Sequence, residues 1–152
     1  MRFTRLPVIL VGLLMVTGRV FAGCEQLAVD TSQGTVRDNA SGLIWSRCLL
    51  GQVGSGCLGQ GVSLSRVEAM SKARAVELGG VRNWRLPKNE EFARLFALGP
   101  DCVAAAFPGS GTSVTWSASA NSDPWAFDLV KGAAVMTSRD SKLQVLLVAS
   151  PK

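Results

Sequence analysis

The chain has 152 residues, 47% of them hydrophobic, with no histidine and a formal charge of +5. The absence of histidine excludes Ser-His-Asp and Cys-His nucleophile systems and removes the commonest metal ligand. The length suits a single domain, and we predict that the protein is not an enzyme.

Residues 1–22 have the layout of an export signal. Two arginines precede an apolar run over residues 6–16, and Val20 and Ala22 place small residues at positions −3 and −1 of a cleavage site. The run is about half of the ~20 residues that a membrane span needs. We therefore expect a signal peptide, and then one domain over residues 23–152 that is periplasmic, secreted or at the cell surface of a bacterium.

A lipoprotein form is the alternative. Residues 21–24 resemble the box at which bacterial lipoproteins are cut and then acylated on the cysteine, which here is Cys24. Membrane anchoring is expected only in that form. Without acylation the mature chain keeps four cysteines, an even number that can close two bridges in an oxidising compartment. This parity favours the soluble form.

The basic charge belongs mostly to the export signal. Cleavage after Ala22 removes three arginines and leaves a net charge of about +2. The remaining chain has no basic stripe with interleaved aromatic residues and no nucleic-acid-binding motif. We predict no nucleic-acid partner.

The first predicted element is a β-hairpin. Strand-like residues 35–38 and 43–47 flank Asn39, Ala40, Ser41 and Gly42, which are typical of a tight turn. A loop with five glycines follows at residues 51–61 and needs a covalent staple to hold a shape. Four cysteines allow three pairings, and the sequence favours Cys48 with Cys57 and Cys24 with Cys102.

Two helices are predicted next. Ser65 and Glu68 fit a capping box that starts the first helix, which is expected to stop at Gly79. The residues predicted to share its apolar face are Leu64, Val67, Ser71, Ala75 and Leu78. The second helix is predicted to begin just beyond Pro87 and to end at Gly99 and Pro100, with Phe92, Leu95 and Phe96 facing the core.

From Val114 onward the hydrophobic pattern has a period of two, which predicts strands. The expected strands cover residues 114–119, 125–130, 133–136 and 143–148, with tight turns at Lys131-Gly132 and over residues 137–142. The predicted fold class is α+β: an N-terminal hairpin, two helices and an antiparallel β-meander, with two disulfides.

Three ordered stretches resemble the motifs of one known family. They are residues 34–45 followed by Arg47-Cys48, residues 83–87 followed by Glu91-Phe92, and residues 115–119. With these motifs the chain resembles the Lcl C-terminal domain family, which is also catalogued as a domain of unknown function. The resemblance covers nearly all of the mature chain.

The resemblance implies a C-type-lectin-like fold that is distantly similar to formylglycine-generating enzymes. It also implies an adhesive role, because the named member is a domain of a bacterial collagen-like adhesin that binds sulfated glycans as a trimer. Residues 145–148 depart from the Val-Arg pair usual near the family's C-terminus, which weakens transfer of a cationic glycan site to that end. The late cysteine pair of formylglycine-generating enzymes is missing after Cys102.

We interpret the motif residues as structural. The turn formers shape the hairpin, the tryptophans are large apolar bodies with one N–H each, and Arg85 can bridge to Asp38 or Glu91. The full set is Asp38, Asn39, Gly42, Trp45, Trp84, Arg85, Pro87, Trp116 and Ser117.

Acidic residues offer weak alternatives. A glycosidase would need a carboxylate pair drawn from Asp101, Asp123, Asp128 and Asp140, and calcium would need the oxygens of Asn121, Asp123 and Asp128. We interpret these residues as solvated turns, and we predict no metal and no cofactor.

Two functional hypotheses follow. The first is an exported, non-enzymatic binding module whose partner is a glycan or an envelope protein, contacted through Trp125, Lys131, Arg139 and Lys142, because an aromatic plane with cations suits sulfated or acidic sugars. For the cations, a second interpretation is protection of a sheet edge against aggregation. The alternative function is a structural or accessory subunit of a pilus or secretion-type assembly without a soluble ligand.

Overall fold

The computed structural model describes residues 24–111, 113–119 and 125–151. After a short 3-10 turn at Cys24–Gln26, the elements are β1 (Leu27–Asp30), β2 (Thr35–Asp38), β3 (Ile44–Ser46), α1 (Arg66–Ala75), α2 (Asn89–Phe96), α3 (Pro100–Ala106), β4 (Val114–Trp116), β5 (Ala126–Asp128), β6 (Ala133–Val135) and β7 (Val148–Ala149). The predicted α+β class with two disulfides is confirmed. The predicted signal peptide lies outside the described residues.

The N-terminal hairpin is confirmed as β2 and β3. Val36 lies opposite Trp45 in an antiparallel register, and Gly42 takes the positive φ of 75° that the turn requires. The sheet is larger than the hairpin, because β1 and β7 extend it in the order β1-β2-β3-β7. Only the first residue of β1 is buried, so the hydrophobic pattern of residues 27–30 does not identify them as a strand.

The β-meander is confirmed for three strands and wrong for the fourth. β4, β5 and β6 form an antiparallel sheet in that order, and the turn at Lys131-Gly132 joins β5 to β6 with Gly132 at a φ of 62°. Residues 143–147 instead run between the two sheets, and β7 pairs with β3. A continuous apolar run fits a fully buried position and does not specify which sheet receives it.

The first helix begins where predicted and buries a different face. Ser65 and Glu68 form the capping box, but the helix ends at Ala75, before the two glycines. Val67 is 78% exposed, whereas Ala69 and Ala73 are buried against Trp84 and Trp116. Small residues are the ones that allow a helix backbone to approach two indole rings closely, so close packing and not hydrophobicity selects this face.

The second helix is confirmed, and a third helix was not predicted. α2 ends at Phe96, three residues before the predicted stop at Gly99, and Pro100 is instead the first residue of α3, a position that proline tolerates because its missing N–H is not needed there. Cys102 of α3 is bonded to Cys24, and Cys48 is bonded to Cys57. The favoured disulfide pairing is therefore confirmed.

Two apolar clusters form the interior, and one segment separates them. The first contains Trp45 and Phe92, and the second contains Trp84 and Trp116. Within residues 145–149, Val145, Leu147 and Ala149 belong to the second cluster, whereas Leu146 and Val148 belong to the first. This segment is buried throughout because successive side chains of an extended chain point to opposite sides.

Candidate functional site

The most distinctive exposed group of side chains surrounds Trp125, which is half-buried just before β5. The guanidinium carbon of Arg139 lies 5.1 Å from the centroid of the indole ring, and that of Arg66 lies 5.3 Å from it. Both distances are within the range of cation–π attraction. Two cations therefore share one aromatic ring.

Arg66 is held in place by the backbone that follows β4. Its Nη2 donates to the carbonyl oxygen of Ser119 at 2.9 Å, and its Nε and Nη2 both lie 3.4 Å from the carbonyl oxygen of Ser117. The N–H of Ser117 in turn donates to the carbonyl oxygen of Trp125 at 2.7 Å. Ser117, a residue of the third motif, thus links the arginine and the indole through its backbone.

These side chains line an open cavity of about 260 Å³ that we call the Trp125 pocket. Among the described residues, those that line it are Ser65, Arg66, Val67, Met70, Trp125 and Arg139. The described residues form three ion pairs, and none of these involves Arg66 or Arg139. No carboxylate among the described residues therefore neutralises either charge by direct pairing. The pocket combines an aromatic face with positive charge, which suits an acidic or sulfated sugar.

The structure brings together two of the four predicted ligand residues. Trp125 and Arg139 meet, whereas Lys131 lies at the other end of β5 with its Nζ 3.6 Å from Asp128 Oδ2. The N–H groups of Lys131 and Val130 donate to Asp128, and these bonds, with the Lys131 charge, hold the pKa of that carboxyl below its usual value.

Lys142 lies near the start of α1. Hydrogen bonds from the backbone and side chain of Ser65 lower the pKa of Glu68, and the charge of Lys142 lowers it further. This places Lys142 beside the helix terminus that supplies Arg66, although it does not line the Trp125 pocket.

Sequence reasoning missed Arg66 and Met70. Arg66 is the first residue of α1 and Met70 lies one helical turn further on, with 39% of its surface exposed. Their positions in α1 followed from the capping box, but their meeting with Trp125 depends on how α1 packs against the second sheet. No local pattern carries that information.

The first motif builds the hairpin turn. Asp38 is buried, and its carboxylate accepts hydrogen bonds from Gln26 Nε2 at 2.7 Å, Ala40 N at 3.0 Å and Ser41 Oγ at 2.5 Å. Burial acts to raise the pKa of Asp38, but these hydrogen bonds outweigh burial and lower it. Asn39 donates its N–H to the carbonyl oxygen of Gln26, which fixes β1 beside the turn.

The motif tryptophans lie in the interior. Trp84 donates its indole N–H to the carbonyl oxygen of Val81 at 2.9 Å, and Trp116 donates to that of Leu64 at 2.7 Å. Trp45 packs against Phe92, with ring centroids 5.6 Å apart, and its N–H has no hydrogen-bond partner among the described residues. All three indoles are at most 2% exposed, so nearly all of their surface is in contact with other parts of the protein.

Arg85 pairs with Glu91, one of the two carboxylates expected for it. Nη1 lies 2.8 Å from Glu91 Oε2 and Nη2 lies 2.6 Å from Oε1, which makes a bidentate pair. Burial acts to raise the pKa of Glu91, but the bonds from Arg85 and from the Lys88 N–H outweigh burial and lower it. Pro87 between them accepts the N–H of Ala118 at 2.7 Å, which ties the second motif to the third.

The residues considered for calcium do not form a metal-binding group in the described part of the chain. Asn121 and Asp123 lie outside the described residues, and Asp128 is engaged with its own turn. Across residues 24–111, 113–119 and 125–151, no group of three or more Cys, Asp or Glu side chains is placed to hold a metal ion. Within the same residues, no helix is long and apolar enough to cross a membrane.

Comparison with known proteins gives one match. A family model described as the Lcl C-terminal domain matches residues 34–149. No curated protein and no solved structure matches the chain. The matched range includes all three motifs and all six of the residues given above for the Trp125 pocket.

Proposed function

Because the chain belongs to the Lcl C-terminal domain family, we propose that it is an exported, non-enzymatic binding module of the bacterial envelope or cell surface that recognises acidic or sulfated glycans, with a role in adhesion. The observation that carries the proposal is the pair of arginines over Trp125. The family resemblance supports the same ligand class, because the named member is a domain of an adhesin that binds sulfated glycans.

The pocket chemistry supports an anionic sugar over an uncharged one. Guanidinium groups bind sulfate or carboxylate through paired N–H donors, and two of them lie together over the Trp125 ring. Arg139 is exposed and close to the ring, so it can contact ring and anion together. Arg66 is already fixed by two backbone carbonyls and adds positive potential at no further ordering cost.

A heparin column with a salt gradient tests the proposal. We expect the mature protein to be retained at low ionic strength and released by salt, because exposed charges are screened within about 10 Å at 0.1 M. R139Q is expected to weaken heparin binding about tenfold in a solution titration. K131Q is the matched control, since it removes the same charge outside the Trp125 pocket and should bind like the wild type. Flow-through of the wild type at low salt would refute the proposal.

The soluble exported form is part of the proposal. The Cys24–Cys102 bond supports it, because the sulfur of Cys24 cannot be acylated and disulfide-bonded at once. Intact mass of the exported protein without reductant is expected to equal a chain beginning at Gly23 with two disulfides. A diacylglycerol mass on Cys24, together with a free Cys102, would establish the lipoprotein form instead.

A second candidate function, an accessory subunit of an envelope assembly, is supported by a different surface. Edge strand β6 contains no charged residue, and Val130 and Met136 beside it are 64% and 76% exposed. Such an edge can pair with a strand of another protein. If this function is correct, M136K abolishes incorporation into the assembly and R139Q does not.

A further inference from the structure

A second cavity adjoins the Trp125 pocket along α1. It has a volume of about 150 Å³ and we call it the Trp84 pocket; Arg66, Met70, Arg74, Trp84, Lys88 and Ala118 are among its lining residues. Arg66 and Met70 line both cavities. The two cavities therefore lie side by side along α1 and share two of its side chains, and we refer to them together as the groove.

The charged side chains among the described lining residues of the groove are all basic. Arg66 and Arg139 flank the Trp125 pocket, and exposed Arg74 and Lys88 flank the Trp84 pocket. None of the described residues that line either cavity is acidic. Arg85 also lines the second cavity, but both of its terminal nitrogens already bind Glu91, which leaves Arg74 and Lys88 as the cations open to a ligand there.

Helix geometry sets the length of the groove. Arg66, Met70 and Arg74 follow one another at intervals of four residues, so they lie along one ridge of α1. A rise of about 1.5 Å per residue places Arg66 and Arg74 about 12 Å apart along the helix axis. A single sugar ring is shorter than this distance and reaches only one end of the groove.

We infer that the groove binds an extended polyanionic glycan across both cavities, with one anionic group at Arg139 and Trp125 and a second between Arg74 and Lys88. This inference rests on the proposed function and adds a length requirement to it. Met70 lies between the two charged ends and offers an apolar contact to the sugar ring that spans them. The end formed by Arg74 and Lys88 supplies only exposed charges, which bind weakly one at a time.

Heparin fragments of defined length test the inference. The wild type is expected to bind a hexasaccharide at least tenfold more tightly than a disaccharide, because only the longer fragment reaches both ends. R74Q should weaken hexasaccharide binding about fivefold and leave disaccharide binding unchanged. R139Q should weaken the binding of both fragments.

R94Q is the matched control, because Arg94 is an exposed arginine of α2 that lines neither cavity. It should leave both affinities at the wild-type value, and thermal melting should show that every variant remains folded. Equal hexasaccharide affinities of R74Q and wild type would overturn the inference, as would an equal loss in R94Q. A single-stranded oligonucleotide that binds as tightly as the hexasaccharide would overturn the glycan class. If neither fragment binds the wild type at low salt, the proposed function itself fails.

Discussion

The stabilisation of an individual carboxylate in this protein depends on how many hydrogen-bond donors surround it. Glu91 accepts two hydrogen bonds from Arg85 and one from the N–H of Lys88, and it is half-buried. Arg82 and Glu77 form an ion pair of similar length at the surface, with 76% and 59% of their side chains exposed. Only the first pair excludes enough water for its geometry to matter to stability.

The lowered pKa of Glu91 predicts a pH-dependent stability. Because the pKa of Glu91 is lower in the folded state than in the unfolded state, the ionised carboxylate stabilises the fold. This stabilisation is complete above the unfolded pKa near 4.5 and is lost as the pH falls through the lower pKa of the folded state. We expect E91Q to reduce the free energy of unfolding at pH 7 by about 1–2 kcal/mol. Urea titrations at pH 7 and pH 3 should show that the difference from wild type shrinks at the lower pH.

E77Q is the control for this measurement, because it alters an ion pair that remains in solvent. Its effect should stay below about 0.5 kcal/mol at both pH values. A difference between E91Q and wild type that is the same at pH 3 and pH 7 would contradict the assignment of the stabilisation to the ionised carboxylate.

Secondary-structure elements begin where local chemistry dictates, and their packing then selects the face that is buried. The capping box of α1 satisfies backbone donors at Ser65 and Glu68 whatever the rest of the chain does. The face of α1 was predicted wrongly, because Val67 is more hydrophobic than Ala69 but too large for the contact with the indoles. Propensity and capping are local properties, whereas close packing is not.

Removing the cap tests the local part of this argument. S65A is expected to lower the free energy of unfolding by about 1 kcal/mol, because the N–H of Glu68 loses its acceptor. S71A, an exposed position in the middle of the same helix, should be neutral or slightly stabilising, since alanine is the better helix former. Equal effects of the two substitutions in urea denaturation would show that the cap contributes nothing.

The whole molecule is organised around residues 143–149, which connect most of its parts. Leu143 pairs with Leu64, Gln144 with Thr115 and Val148 with Arg85, and β7 completes the first sheet. Ser46 accepts the N–H of Leu147 at its hydroxyl, while its own N–H donates to the carbonyl oxygen of Leu147. The contacts of this segment are therefore made with parts of the chain that are distant in sequence: the hairpin, the segment before α1 and the meander.

A large-to-small substitution in this segment should therefore be costly. Leu147 is 1% exposed, and we expect L147A to reduce the free energy of unfolding by about 3 kcal/mol through lost burial and the cavity that remains. L58A provides the matched change at a leucine that is 68% exposed, and should cost less than about 0.5 kcal/mol. Comparable losses from the two substitutions would contradict the central position of the segment.

The sequence by itself determined the hairpin, the starts of α1 and α2, the presence of two disulfides and the α+β class. Each of these depends on neighbours within a few residues, on the parity of the cysteines or on the order of the motifs, and such information can be read along the chain. Trp125 and Arg139 were also among the four predicted ligand contacts, with Lys131 and Lys142, although the contact between the first two could not be established from the sequence.

The tertiary structure alone decided which sheet receives β7, which face of α1 is buried, and that Arg66 joins Arg139 over Trp125. The physical reason is the same in each case. These outcomes depend on the shapes of surfaces that are far apart in sequence and meet only when the two apolar clusters close around residues 145–149. Period and propensity describe what a segment can bury, whereas the fold determines what it is buried against.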